Sequence, residues 1–213
     1  MGRARKVIET LVAAGFNVTH SDADAVWVRD PFPLMDSLEA DIVSSQGTIQ
    51  PPSCHAVWGH VLCYGFIQFR STPASLTLLR EFAELAEGEG KFSDQISLNE
   101  RLLSLEMEWT VKEPYGLNFR EKDFFCSAEP IFGSAESEDL GRISVAILPH
   151  AQVQRLPNDV EEKTDAYVRH PLSQKNAEDI ETVLRDQDCW FIERRDRPAT
   201  ERTSDEKLEA HPV

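Results

Sequence analysis

The stretch that decides the fold reads F-N-V-T-H-S-D-A-D-A-V-W-V-R-D-P and spans residues 16–31. Its first six residues have the composition of a β-strand, and the helical spacing of apolar residues in 6–14 predicts a helix before them. Gly15 stands between the two segments, where a helix C-cap belongs. Asp22 and Asp24 come directly after the strand. The sequence therefore predicts a helix that leads into a strand ending in two carboxylates.

Strand and helix patterns alternate along the rest of the chain. The predicted strands cover residues 40–44, 61–69, 143–148 and 166–168, and the predicted helices follow Pro73, follow Ser93 and cover 174–185. Residues 46–60 have the composition of a loop, and residues 113–142 that of a loop-rich segment with weak strand signals. Strands separated by helices predict an α/β layered fold with a mostly parallel central sheet. We expect one ordered domain over residues 1–192 and a disordered charged tail over residues 193–213.

The charge balance narrows the classes of ligand. The 37 acidic and 22 basic residues give a formal net charge of −15, which argues against sequence-independent binding of nucleic acid. An anionic ligand therefore needs local help from a metal ion or a helix N-terminus. We expect neither a transmembrane segment nor an export signal in the chain as written. The four cysteines are widely spaced, without a C-x-x-C pair, which argues against a zinc ribbon and a dense disulfide framework.

The two carboxylates after the first strand need a counter-charge. Residues two apart on a strand face the same side, so Asp22 and Asp24 are predicted to project together. At about 4 Å and an effective dielectric near 20 their repulsion is about 4 kcal/mol, which a cation, a proton or an arginine relieves. Mg²⁺ and Mn²⁺ commonly take one or two carboxylates and complete their shell with substrate phosphates. A solvated turn is the alternative, although the apolar residues on both sides favour a site.

Residues 21–33 read S-D-A-D-A-V-W-V-R-D-P-F-P and resemble the central motif of the nucleotide-diphospho-sugar transferase family. These are glycosyltransferases of the GT-A fold and include plant arabinosyl- and xylosyltransferases. The resemblance covers about residues 3–192 and implies a GT-A-like layered fold with a mostly parallel sheet. Further matches follow in the family's order: Asp41-Ile42-Val43, Gly65-Phe66 with Arg70-Ser71-Thr72, Asp94-Gln95 with Asn99, and His170, Lys175, Leu184 and Trp190 within residues 167–190.

The resemblance implies transfer of a sugar from a nucleotide diphosphate donor, with a UDP-sugar favoured, to a glycan or glycoprotein acceptor. In the family pattern Asp24 ligates Mn²⁺ or Mg²⁺, and Asp22 holds the ribose or a water of the ion. His170 is the third metal ligand by the same resemblance, and a hydrogen-bonded loop histidine is the alternative. The resemblance places eukaryotic members in the Golgi lumen, whereas the sequence itself leaves the compartment open.

Three further residues have both a functional and a structural interpretation. The resemblance places Asp94 and Gln95 at the reacting sugar, where Asp94 binds hydroxyls or acts as a general base. The alternative is that Asp94 only caps a helix N-terminus. Arg70 either neutralises a phosphate or pairs with an acidic residue. Trp27 and Trp190 are expected in the core.

Two departures from the family pattern affect these expectations. Cys63 or Tyr64 occupies a position where relatives usually carry Asn. About one helix precedes Asp22, whereas GT-A domains carry one or two βα units there that bind the uridine. We therefore expect a fold that is incomplete at its N-terminal edge. The alternative functions are a non-catalytic remnant that binds a sugar nucleotide or glycan, and a metal-dependent phosphohydrolase with Asp22 as nucleophile.

Overall fold

The structure, a computed structural model, describes residues 2–86, 93–119, 121–156, 165–172 and 176–191. The helices are α1 Gly2–Ala13, α2 Phe32–Asp36, α3 Pro52–Trp58, α4 Pro73–Ala86, α5 Asp94–Ser104 and α6 Ala177–Asp186. The strands are β1 Val18–Ser21, β2 Val26–Trp27, β3 Ile42–Gln46, β4 Leu62–Phe69, β5 Glu108–Thr110, β6 Pro114–Phe119, β7 Lys122–Ser127, β8 Ile131–Ser137, β9 Gly141–Ile147, β10 Val153–Gln154 and β11 Val168–Arg169. The predicted tail over residues 193–213 and the matched Lys175 lie outside the described residues.

The central sheet has six strands in the order β1-β4-β3-β9-β8-β5. In this sheet β3 and β9 are parallel, and the other neighbouring strands are antiparallel. The mixed α/β class is confirmed, but the prediction of a mostly parallel sheet is wrong. The connections explain the difference, because β8 and β9 form a hairpin and the short helix α3 returns the chain antiparallel beside β3. Patterns of strands and helices identify elements but do not fix the direction of a strand.

A segment predicted as a loop and another predicted as loop-rich with weak strand signals both contain regular structure. Residues 46–60 include α3, which begins with Pro52 in its first turn and ends at Gly59 in the left-handed conformation, φ +77°. Residues 113–142 contain β6, β7 and β8, and β6 pairs with β7 in a separate two-stranded sheet. The strands predicted over residues 40–44 and 61–69 are confirmed as β3 and β4.

Two hydrophobic clusters pack on opposite faces of the central sheet. Ile42 and Val145 belong to the cluster that includes side chains of α1, α4 and α5. Their neighbours Val43 and Ala146 belong to the second cluster, as alternation along a strand requires. The second cluster includes side chains of α2 and of a small sheet with the order β10-β11-β2. Among the described helices, none has the length and apolar character needed to span a bilayer.

An irregularity in β4 positions the functional site. Ser44 of β3 pairs with Ile67, whereas the next residue, Ser45, pairs with Cys63. Residues 64–66 therefore bulge away from regular pairing with β3. Ser21, the last residue of β1, pairs with β4 within this bulge. The bulge thus lies where the chain leaves β1 and enters the segment with the two aspartates.

Candidate metal centre

Asp22 and Asp24 lie in a turn that follows β1. The Asp22 N–H donates to the Gly65 carbonyl at 2.7 Å, and the Ala25 N–H donates to the Asp22 carbonyl at 3.0 Å. The Asp24 side chain is 10% exposed and that of Asp22 is 41% exposed. The carboxylates were predicted to meet by alternation along a strand, but it is the turn that brings them together.

His170 reaches this turn because β11 pairs with β2. The antiparallel register places Arg169 opposite Val26, so the residue after β11 meets the residues before β2. The His170 N–H donates to the carbonyl of Gln154 on β10 at 2.9 Å. The small three-stranded sheet therefore holds the histidine against the carboxylate turn, 146 positions away from Asp24 in the sequence.

The three residues predicted as metal ligands converge. His170 Nε2 is 3.4 Å from Asp24 Oδ1 and 3.6 Å from Asp22 Oδ2. One potential ligand atom of each residue lies within 4.8 Å of the other two. The His170 side chain is 1% exposed, and its buried Nε2 makes no hydrogen bond to any described residue. A buried nitrogen that faces two carboxylates fits a divalent cation. All three groups can coordinate the cation, and its charge neutralises the repulsion between the two carboxylates.

Gly65 forms one wall of this group. A Cβ atom at this position would overlap Cε1 of His170 and would lie 2.5 Å from Oδ2 of Asp22. The backbone of β4 therefore approaches both potential ligands more closely than a residue with a side chain permits.

A buried cysteine and arginine lie on the other side of the His170 ring. Arg155 Nη1 is 2.8 Å from His170 Nδ1 and donates to Cys63 Sγ at 2.9 Å, and this sulfur is 3.8 Å from the same Nδ1. Burial by itself raises the pKa of the Cys63 thiol. The Arg155 guanidinium and His170 lower the pKa by a larger amount, and the result is a pKa of about 6. Burial and Arg155 lower the pKa of His170, but its interactions with Asp24 and Cys63 outweigh them and raise it above the ordinary value. Arg155 carries no signal in the sequence that would have identified it as part of the site.

The carboxylate turn opens onto a cavity of about 470 Å³. Val26, Ile180 and Leu184 contribute apolar wall, and Trp190 lies at the same cavity. Trp190 was expected in the core, but it borders this space instead. The other tryptophan expected there, Trp27, is 40% exposed, so that prediction is wrong.

His20 is a neighbour of the site that the sequence did not single out. Its Nε2 is 3.5 Å from Oδ1 of Asp22, and its ring centroid is 5.2 Å from that of Tyr64. The side chain is 27% exposed. His20 therefore contacts the oxygen of Asp22 that does not face His170.

The remaining predicted site residues have other contacts. Asp94 forms an ion pair with the buried guanidinium of Arg5. Gln95 Nε2 donates to the Gln50 carbonyl at 2.8 Å. Arg70 Nη2 donates to backbone carbonyls at the end of α2, including that of Met35 at 3.1 Å. Their predicted roles at the sugar and the phosphate stay predictions.

A comparison with protein families matches residues 1–178 to the family described as nucleotide-diphospho-sugar transferase. The chain belongs to this family. The match includes the carboxylate turn and His170, and it confirms the resemblance found in the sequence.

A relative of this chain occurs in Arabidopsis thaliana. Arabinosyltransferase XEG113 is 26% identical to the chain over 108 residues. The aligned segment covers 47% of this chain and 17% of the relative, so the chain spans only a small part of the length of that protein. No solved structure matches the chain significantly.

Proposed function

We propose that this chain forms the metal-binding part of a GT-A-type glycosyltransferase that takes a sugar from a nucleotide diphosphate donor. The favoured donor is a UDP-sugar, and the acceptor is a glycan or glycoprotein. The observation that carries the proposal is the convergence of Asp22, Asp24 and His170 beside a cavity, in a member of the nucleotide-diphospho-sugar transferase family.

The charge of the chain explains why such a reaction needs a cation at this position. A net charge of −15 and two site carboxylates repel a diphosphate. When bound, a divalent ion supplies the positive charge that stabilises the departing nucleoside diphosphate. Asp22, Asp24 and His170 would hold it, and we favour Mn²⁺ over Mg²⁺ because Mg²⁺ is bound mainly through oxygen ligands.

The cavity beside the turn supports an organic substrate rather than a free ion alone. Its walls combine the two aspartates with the apolar side chains of Val26, Ile180 and Leu184. A mostly apolar cavity with a few polar groups at one end is typical of a small-molecule site. The name of the Arabidopsis relative makes an arabinosyl donor the first one to test.

We assign the catalytic contacts with the sugar to Asp94 and Gln95. The Tyr64 N–H donates to Gln95 Oε1 at 3.4 Å, and Tyr64 directly precedes Gly65 in the bulge of β4. The start of α5 therefore lies against the strand that forms a wall of the metal centre. For Arg70 the phosphate role rests on the resemblance alone and requires its guanidinium to exchange the carbonyls of α2 for phosphate oxygens.

Calorimetric titration of the full chain with Mn²⁺ tests the metal centre. We expect Asp24→Asn and His170→Gln to lower the affinity by at least about 100-fold, because each removes a direct ligand. Asp139→Asn, at an exposed aspartate between β8 and β9, is the matched control and should bind like the wild type. Equal affinity in the wild type and in both site variants would show that these residues do not bind the ion.

Turnover assays separate the proposed reaction from its alternatives. With UDP-arabinose and Mn²⁺, loss of a ligand should reduce sugar release by about 10² to 10³, equivalent to about 3 to 4 kcal/mol of transition-state stabilisation. Binding of Mn²⁺ and UDP-sugars without product from any acceptor would identify a binding remnant. Turnover of p-nitrophenyl phosphate without turnover of nucleotide sugars would identify a phosphohydrolase.

A further inference from the structure

The buried pair of Cys63 and Arg155 has no role in the reaction described so far. Both residues contact Nδ1 of His170, whereas the carboxylates of the metal centre face Nε2. Cys63 is 2% exposed and Arg155 is 7% exposed. Neither side chain can therefore serve as a general surface contact, and both lie behind the one site residue that is itself fully buried.

Ligation through Nε2 dictates where the ring carries its proton. The metal takes the lone pair of Nε2, so a neutral imidazole must carry its hydrogen on Nδ1. A buried N–H requires an acceptor, and leaving it without one costs about 1–3 kcal/mol. Metal-bound histidines accordingly donate this second N–H to an acceptor behind the ring, which fixes the tautomer and the ring orientation.

The contacts of Nδ1 leave one group for this task. Arg155 Nη1 is closer, at 2.8 Å, but a guanidinium only donates hydrogen bonds, so this contact fits a ring that accepts at Nδ1 and must lengthen once Nδ1 carries the proton. The Cys63 sulfur at 3.8 Å can accept it. Arg155 Nη1 also donates to this sulfur at 2.9 Å, and it can keep this hydrogen bond when its contact with Nδ1 lengthens.

We propose that Cys63 is the positioning residue for His170: its sulfur accepts the Nδ1 hydrogen when Nε2 binds the metal ion, and Arg155 holds the sulfur in place. This inference rests on the proposed metal centre and adds the residues that prepare it.

The backbone around Cys63 keeps the sulfur fixed. Cys63 pairs with Ser45 in the central sheet, and the Ser44 hydroxyl donates to the Cys63 carbonyl at 2.9 Å. An acceptor on a paired strand holds a ring more rigidly than one on a surface loop does. The sulfur is therefore prepared for the ring before any ligand arrives.

The test measures Mn²⁺ affinity by calorimetry together with the ¹⁴N coupling of the bound Mn²⁺ by electron spin-echo spectroscopy, both on the full chain. We expect Cys63→Ala to bind Mn²⁺ about 10- to 100-fold more weakly and to lose or weaken the ¹⁴N coupling of His170. Cys63→Ser restores an acceptor and should recover part of both signals. Cys54→Ala removes another buried cysteine, on α3, and should leave both unchanged.

Arg155→Lys provides a second variant for the same measurements, and it leaves β4 unchanged. It should lower the affinity less than Cys63→Ala does, because the lysine keeps a donor near the sulfur but loses the planar guanidinium. If Cys63→Ala does not fold, as judged by circular dichroism, the comparison of Cys63→Ser, Arg155→Lys and wild type decides the matter.

The outcomes distinguish this inference from the proposed function. Wild-type affinity and ¹⁴N coupling in every folded variant of Cys63 and Arg155, with His170→Gln deficient in both, would overturn the positioning role and leave the metal centre intact. A wild-type chain that binds no Mn²⁺, or binds it without ¹⁴N coupling, would overturn both proposals.

Discussion

At the scale of single residues, the site depends on the absence of a side chain at Gly65. Gly65 lies in the bulge of β4, its carbonyl accepts the Asp22 N–H at 2.7 Å, and its Cα faces both Asp22 and His170. The glycine is required here by the close approach of the two side chains. Because this hydrogen bond ties β4 to the turn, the strand cannot shift to relieve an overlap at Gly65 without moving the turn as well.

We predict that Gly65→Ala lowers Mn²⁺ affinity by at least about tenfold, since the new methyl group displaces the buried ring of His170 or pushes Asp22 outward. Calorimetry measures the affinity, and urea unfolding should show a loss of about 1–3 kcal/mol from overpacking. Gly116→Ala on β6 is the matched control, because its Cβ would lie 4.0 Å from the Phe124 carbonyl oxygen, which is an ordinary van der Waals contact. Affinity equal to that of the wild type in Gly65→Ala would show that the site has room the structure does not display.

At the scale of secondary-structure elements, a buried ion pair joins the first helix to the helix that carries the predicted catalytic residues. Arg5 of α1 has a side chain that is 3% exposed, and its partner Asp94 at the start of α5 is 23% exposed. Burial and the charge of Asp94 raise the pKa of the adjacent Tyr64, a residue of β4 that belongs to the hydrophobic cluster with side chains of both helices. Asp94 thus has a structural task whatever its role in the reaction.

We predict that Asp94→Asn lowers the free energy of unfolding by about 2–4 kcal/mol, because it leaves the Arg5 guanidinium buried without its counter-charge. In the double variant Arg5→Met/Asp94→Asn the loss should be smaller than the sum of the single losses, as urea unfolding of all four proteins will show. The more exposed pair of Arg101 with Glu81, which joins α5 to α4, is the control, and Glu81→Gln should cost under about 1 kcal/mol.

The same double variant separates structure from chemistry. If Asp94 acts on the sugar, the double variant regains stability but not turnover of the nucleotide sugar. Recovery of turnover together with stability would limit Asp94 to holding α1 against α5.

At the scale of the whole molecule, the net charge of −15 opposes the binding of the proposed anionic donor. The candidate metal centre contributes two carboxylates, which add to the negative potential of the chain. The cation that we propose for His170 and these carboxylates is therefore expected to supply most of the attraction for the diphosphate.

We predict that UDP binds more than about tenfold more weakly in EDTA than with Mn²⁺, because the interaction of the diphosphate with the ion amounts to several kcal/mol and 1.4 kcal/mol corresponds to tenfold. Calorimetric titrations under both conditions measure the difference. Uridine carries no phosphate and is the control ligand, with an affinity that should not change with the metal. UDP affinity that is the same in EDTA would assign diphosphate binding to protein groups instead.

Much of the local structure could be predicted from sequence patterns. The Gly15 stop, the apolar run over residues 61–69 and the Ser93 start each correspond to a boundary or strand in the structure, because these signals act within a few residues. The prolines of residues 46–60 suggested a loop, although Pro52 and Gly59 also carry the start and stop signals of α3. Arg155 could not be predicted as a neighbour of the site, since only folding places it beside Cys63 and His170.

The sequence by itself determined the family and the mixed α/β class, and the family resemblance pointed to the three residues of the candidate metal centre, because the motif over residues 21–33 is compact and His170 follows it in the family's order. The tertiary structure alone decided the direction of the strands, the turn that joins the carboxylates and the groups behind the histidine. Strand direction depends on how connections pack, and the convergence of Asp24 with His170 depends on the pairing of β2 with β11. Such long-range contacts are set by the packing of the whole chain, so no local pattern of residues specifies them.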